Sequence, residues 1–238
     1  MNQTLFGVYP YITLTVFFLG SLIRFEYGQY TWRSGSSELL RRRMLVIGSN
    51  CFHIGILAIL GGHFVGLLTP HWVYEPFISA PQKQMFAIVS GGLAGLACFV
   101  GLTLLLHRRI FDPRIRLTSH RTDLAILVIL WIQLSLGLLT LPLSFAHRED
   151  AHAMLVLAGY LQGIATLRPE PAMLAAVEWP FKVHMVLGMT IFLLLPFSRL
   201  VHVWSGLASV SYLFRPYQVV RSRRLNLPAG HDQPRRTT

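Results

Sequence analysis

Five apolar runs dominate this 238-residue chain, each close to the roughly 20 helical residues that cross a hydrocarbon core. In lipid a backbone must satisfy its own N–H and C=O groups, so runs of this length predict membrane-spanning helices. They fall at about residues 5–25, 45–68, 85–106, 123–143 and 181–204. The expected fold class is all-α, a polytopic membrane protein with five transmembrane helices. Only 13% of the residues are charged, against about 25% in a globular domain. The formal net charge of +11 would suit a nucleic-acid binder. The charges, however, lie between the apolar runs, where a membrane protein keeps them, so the lipid bilayer and no nucleic acid is the expected partner.

The placement of arginine predicts orientation. Arg33, Arg41, Arg42 and Arg43 follow the first span, and Arg108, Arg109, Arg114, Arg116 and Arg121 follow the third. Arg215, Arg221, Arg223 and Arg224 follow the fifth. The connection after the second span is nearly neutral, and that after the fourth carries Glu149, Asp150, Glu170 and Glu178 against Arg148 and Arg168. By the positive-inside rule the N-terminus is expected outside and the C-terminus in the cytoplasm. Residues 1–224 are expected to form one five-helix domain, and the polar stretch 225–238 a disordered cytoplasmic tail. No basic n-region or A-x-A-like site is evident, so the first span is expected to be retained. Residues 151–167 suit a short helix at the membrane interface. Cys51 and Cys98 lack CxxC spacing and read as buried thiols.

The second span, NCFHIGILAILGGHFVGLLTPHW, holds His53 and His63 at membrane depth, and the fifth holds His184 and His202. Ionisable groups are costly in lipid, so each is a functional-site hypothesis by default. The two spans run antiparallel. Depth therefore pairs His63 with His184 near the outside and His53 with His202 near the cytoplasm. A neutral imidazole is a common axial ligand of haem iron, and two stacked bis-histidine sites move electrons between membrane faces. Gly55, Gly61, Gly62 and Gly66 would let a large flat group approach the backbone. The alternative is that they let helices pack closely while each histidine hydrogen-bonds across an interface. Gly91 and Gly95 have the spacing for another close helix contact.

The spacings conflict with ideal rods. His53 and His63 are ten residues apart, about 15 Å along a helix, and His184 and His202 eighteen apart, about 27 Å. Helix tilt, imidazole reach and a bend near Pro196 are three ways to absorb the mismatch, and the sequence does not choose among them. Arg199 would either meet a haem propionate or snorkel to the inner interface. Lys83 lies on the outer side near the level of His63, where a quinol headgroup needs hydrogen-bond partners. The remaining histidines, at span ends or in loops, read as ordinary interfacial residues.

Seven segments carry a family resemblance. They are YPYI near Tyr9, YGQYTWR near Tyr27, FHIGIL with GHF around His53 and His63, and LTPHWVYE from Leu68. Further along come KVHMVLGMT around His184, PFSRLVHVWS around His202 and YQVVR at Tyr217. Together they cover nearly the whole chain before the tail, and the chain closely resembles the gamma subunit of membrane-bound respiratory nitrate reductase, a dihaem cytochrome b. The resemblance implies a bacterial inner-membrane subunit that oxidises quinol on the outer side. It implies two haem b groups, held by His63 with His184 and by His53 with His202. It also implies electron delivery to a cytoplasmic iron–sulfur subunit and then to a molybdenum-containing catalytic subunit. Gly62, His63 and Lys83 match positions the family associates with quinol. The loop from residue 144 to 179 departs from the family pattern. Outside the resemblance, the residues also suit a haem anchor of another respiratory enzyme, or an anchor or transporter without haem.

Overall fold

The computed structural model describes residues 3–28 and 42–204. Arg33, Arg41 and the arginines from Arg215 onward lie outside these residues, as does the predicted tail. Among the described residues there is no strand, and five helices are long and apolar enough to cross a membrane. A π-helical segment, Gln3–Val8, leads into α1 (Tyr9–Gly28). Then come α2 (Arg42–Leu68), the single turn α3 (His71–Tyr74), α4 (Ala80–Phe111) and the short α5 (Pro113–Thr118). The chain closes with α6 (Arg121–Ala146), α7 (His152–Ala165) and α8 (Trp179–Leu194). α2, α4 and α6 exceed the apolar runs that predict them, because polar and charged residues continue the helix beyond the hydrocarbon depth, whereas α8 stops ten residues short of its run.

Local chemistry sets the helix starts. Ser79 caps α4: its hydroxyl accepts from Gln82 N, and the Gln82 side chain accepts from Ser79 N at 2.9 Å. Such a reciprocal cap satisfies two donors that a helix start otherwise leaves open. Asp112 ends α4 and caps α5, accepting from the backbone N–H groups of Arg114 and Ile115 at 3.0 and 3.3 Å.

The packing order runs α2 on α4, α4 on α6, α6 on α8 and α8 on α1. The tightest seam joins α2 to α4. A Cβ added to Gly55 would lie 2.7 Å from the Ala94 carbonyl and from Cys98, and Gly101 lies equally close to the Gly48 carbonyl. Small residues let two helices approach in a medium that offers no hydrophobic drive between them. Gly55 therefore serves the helix seam rather than a flat ligand. Gly95 presses on Leu138 of α6, whereas a Cβ at Gly91 would meet nothing within 4 Å. The predicted Gly91–Gly95 contact is thus made by one of its two glycines. α2, which carries His53 and His63, and α8, which carries His184, are not close-packed neighbours.

One end of the bundle is covered by a lid. Tyr160 of α7 is fully buried and donates its hydroxyl to the Phe6 carbonyl at 2.7 Å. Around it gather Phe6, Ile164, Leu174, Val177 and Phe181. Burial, and secondarily Tyr11, push the Tyr160 phenol up to about 12. Gln162 donates its amide to the Leu67 carbonyl at 2.9 Å, satisfying an acceptor that the end of α2 leaves open. The chain enters and leaves α7 through left-handed Ala151 (φ 53°) and Leu167 (φ 60°).

At the opposite end the fifth span breaks. After Leu194 come two 3-10 turns, Leu195–Phe197 and Arg199–Val201, separated by extended Ser198 (φ −116°, ψ 177°). Pro196 cannot donate into a continuing helix. Arg24 of α1 supplies partners for the released carbonyls, donating to Pro196 O at 2.6 Å and Ser198 O at 2.8 Å. This break replaces the straight rod assumed by the 27 Å spacing, so of the three ways to absorb the mismatch the chain uses the one at Pro196.

Candidate functional site

The four membrane-depth histidines come together as two pairs. The ring centroids of His63 and His184 are 6.3 Å apart with planes at 35°, and those of His53 and His202 are also 6.3 Å apart with planes at 70°. The first pair lies towards the lid, the second towards the break in α8. Two imidazoles sharing one metal, each nitrogen about 2 Å from it with its centroid about 1 Å further back, set their centroids roughly 6 Å apart.

Each ring has its Nδ1 engaged by a backbone carbonyl. His53 Nδ1 meets the Ser49 carbonyl at 2.7 Å, His63 Nδ1 the Ile59 carbonyl at 2.8 Å and His202 Nδ1 the Arg199 carbonyl at 2.7 Å. His184 Nδ1 instead meets the Gln133 carbonyl of α6 at 3.1 Å. A carbonyl only accepts, so each Nδ1 carries the proton and each Nε2 presents its lone pair. This is the tautomer control that metal-binding histidines use.

The donor set fits haem better than a bare ion. Among the described residues no group of three or more His, Cys, Asp or Glu converges on one point. A structural zinc takes four protein ligands, whereas haem brings its own equatorial nitrogens and asks the protein for axial ones. Beside His63, a Cβ at Gly61, Gly62 or Gly66 would meet nothing within 4 Å, so this face of α2 is open to a broad group.

Near His202, Arg109 Nη1 and Arg199 Nη1 share one carboxylate oxygen of Asp123, at 3.7 and 3.3 Å. All three side chains are at most 16% exposed, so Arg199 does not snorkel into solvent. Two guanidiniums thus gather on one carboxylate beside His202, and guanidinium groups are the side chains best shaped to hold carboxylates.

Lys83 lies with its ammonium 3.6 Å above the Tyr74 ring, and Tyr74 is 8% exposed. Burial, then Glu75, raise the Tyr74 phenol above its usual range. Gly48 lies against Gly101 and Gly55 against Cys98, so the level of His63 on α4 falls near Ile88. Lys83 is then about 7 Å further towards the lid. Of the weaker histidines, His71 pairs with Glu75 at 3.2 Å, His147 with Glu178 at 3.4 Å, and His107 stacks on Phe111.

Sequence reading overlooked Gln133, Asp123 and Gln162. Gln133 had a usable signal, an amide in the middle of an apolar run. The partners of Asp123 and Gln162 come from distant segments and leave no local pattern.

The fold and these pairs define a class: all-α, polytopic membrane proteins with two pairs of histidines facing across the bundle. The family model described as "Nitrate reductase gamma subunit" matches residues 2–223. The chain is 49% identical over 224 residues to the respiratory nitrate reductase 1 gamma chain of Escherichia coli (strain K12), covering 94% of this chain and 98% of that one. It is 51% identical over 225 residues to the respiratory nitrate reductase 2 gamma chain of the same organism, with the same coverage. It is 38% identical over 223 residues to the nitrate reductase gamma chain of Bacillus subtilis (strain 168), covering 93% of this chain and 99% of that one. The chain belongs to the nitrate reductase gamma subunit family. It is the membrane subunit of a respiratory nitrate reductase, an oxidoreductase complex it forms with other subunits, and a multi-pass protein of the bacterial inner membrane.

Proposed function

We propose that this subunit oxidises quinol at the lid side and delivers its electrons to an iron–sulfur subunit at the break side. From there they reach a molybdenum-containing nitrate-reducing subunit. The observation that carries the reading is the two ring pairs, each at 6.3 Å with Nδ1 engaged by a carbonyl. His63 and His184 would hold one haem b, and His53 and His202 the second, through their Nε2 atoms. When bound, these groups supply one-electron carriers at two depths of the membrane. The paired Arg109 and Arg199 would offer charge to a haem carboxylate at the break side.

The break side is taken as cytoplasmic because Arg43, Arg109, Arg114, Arg116, Arg121 and Arg199 gather there. Glu149, Asp150, Glu170 and Glu178 gather at the lid. Exposed Arg43, Arg114 and Arg116 suit docking of the iron–sulfur subunit, whereas Arg108, 2% exposed, and the Asp123-bound Arg109 and Arg199 are too buried to contribute to such a surface.

At the lid side, Gly62 leaves room beside His63, and the Lys83 ammonium supplies a donor to a quinol oxygen. Quinol gives up two protons with its two electrons. Oxidation on the outer side releases those protons outward while charge moves inward through the membrane field, about 2.3 kcal/mol per charge per 100 mV. Lys83→Ala should slow reduction of the cytochrome by a quinol analogue and leave its absorption spectrum intact. Nitrate reduction driven by an artificial donor to the soluble subunits should be unchanged. Proton release on the cytoplasmic side of oriented vesicles would contradict the placement.

A further inference from the structure

We infer that Gln133 of α6 is a positioning residue for the lid-side ligand His184, and that it sets the redox potential of the group which that pair holds. The inference rests on the haem reading above. Three of the four histidines donate Nδ1–H to a carbonyl one turn back in their own chain. His184 alone among them donates across helices, to the Gln133 carbonyl. The Gln133 side chain answers in the other direction: its amide donates to the His184 carbonyl at 3.0 Å. The two residues thus form a closed, two-bond clamp between α6 and α8.

Glycines one turn further along each helix make the clamp possible. A Cβ at Gly137 would lie 2.9 Å from His184 Cε1, and a Cβ at Gly188 would lie 3.1 Å from Gln133 Nε2. The histidine ring therefore rests on the backbone of α6, and the glutamine amide on that of α8. The Gln133 amide nitrogen also lies 3.3 Å from His184 Nε2, so it must remain on the carbonyl when Nε2 engages a metal. Gln133 Oε1 is buried and accepts no hydrogen bond among the described residues. General helix adhesion would not call for an amide so placed.

The chemical consequence follows from the second hydrogen bond of a ligand. Donation from Nδ1–H to a carbonyl makes the imidazole a stronger base and stabilises the oxidised metal. A bond within one helical turn survives small movements of neighbours. A bond between helices holds only while their separation is held, and the Gln133 amide holds it. Loosening the clamp weakens the Nδ1 bond and raises the potential of the lid-side group alone.

The test is a spectroelectrochemical titration and haem count of the complete complex carrying Gln133→Leu, with Gly188→Ala as a second variant that disturbs only the amide. The expected result is two haems in each, the lid-side midpoint moved to higher potential and the break-side midpoint unmoved. Gly137→Ala, which presses on the ring itself, should shift or lose the lid-side haem alone. Unchanged midpoints in both amide variants, or equal shifts of both haems, would overturn the inference. A wild-type complex without haem would overturn the reading beneath it and this inference with it.

Discussion

At the lid side, His184 sits on an unbroken stretch of α8 and leans its ring onto α6; at the break side, His202 follows an interrupted helix and bonds to its own chain. The ring separations are nonetheless the same, 6.3 Å. Equal reach has been obtained by unequal means. The lid side depends on close approach of two regular helices. The break side depends on polar side chains that repair a helix end, Arg24 on the released carbonyls and Asp123 between two arginines. Damage to helix packing should therefore be felt at the first pair, and damage to buried charge at the second.

The largest effect is expected from Arg24→Leu. The carbonyls of Pro196 and Ser198 lose their donors, and each unpartnered buried acceptor costs about 1–3 kcal/mol. The break-side haem should be lost and the lid-side haem kept, so that a pyridine-haemochrome assay falls from two haems per chain to one. Loss of both together would mean that the two regions are not separate.

Asp123→Asn should come next. It leaves two neighbouring guanidiniums without their shared carboxylate, and breaking a buried pair of this kind costs about 3 kcal/mol. Thermal denaturation in detergent should show the loss, with the break-side haem released first.

The smallest effect is expected at the lid. Tyr160→Phe removes one buried hydrogen bond to Phe6 and should cost about 1 kcal/mol while leaving both haems in place. Burial raises the phenol from 10 to about 12, so its neutral form stabilises the lid. That stabilisation is complete below pH 10 and is lost as pH rises towards 12. Hydrogen exchange of α7 should accelerate across that window in the wild type and lack this component in the variant.

Much of this contrast was legible in the residues. Run length alone predicts the spans, and antiparallel depth alone pairs His63 with His184 and His53 with His202. The unequal spacings of ten and eighteen residues showed that something must give, but left helix tilt, imidazole reach and a bend at Pro196 equally open. That Ser198 would become extended, with Arg24 capping the break, depends on a contact 172 residues away in sequence and has no local signature. The glycines were legible only by type. Gly55 and Gly62 look alike in the chain, yet one is pressed into α4 and the other faces open space. The loop 144–179 gave a short helix by its apolar content. Its work as a lid depends on Tyr160 reaching the π-helical segment before α1 and Gln162 the end of α2.

The central claim, two bis-histidine sites of different build, is tested most directly by low-spin ferric electron paramagnetic resonance of the wild type and of the four single histidine-to-alanine variants. The π-lone pairs of nearly parallel imidazoles raise one iron d orbital above its partner, whereas crossed imidazoles raise both alike and give a larger principal g value. Planes at 35° and 70° therefore predict two signals, the one with the larger g from the break side. His53→Ala and His202→Ala should abolish that signal, and His63→Ala and His184→Ala the other. A single signal, or one signal lost on changing both His53 and His184, would contradict the account.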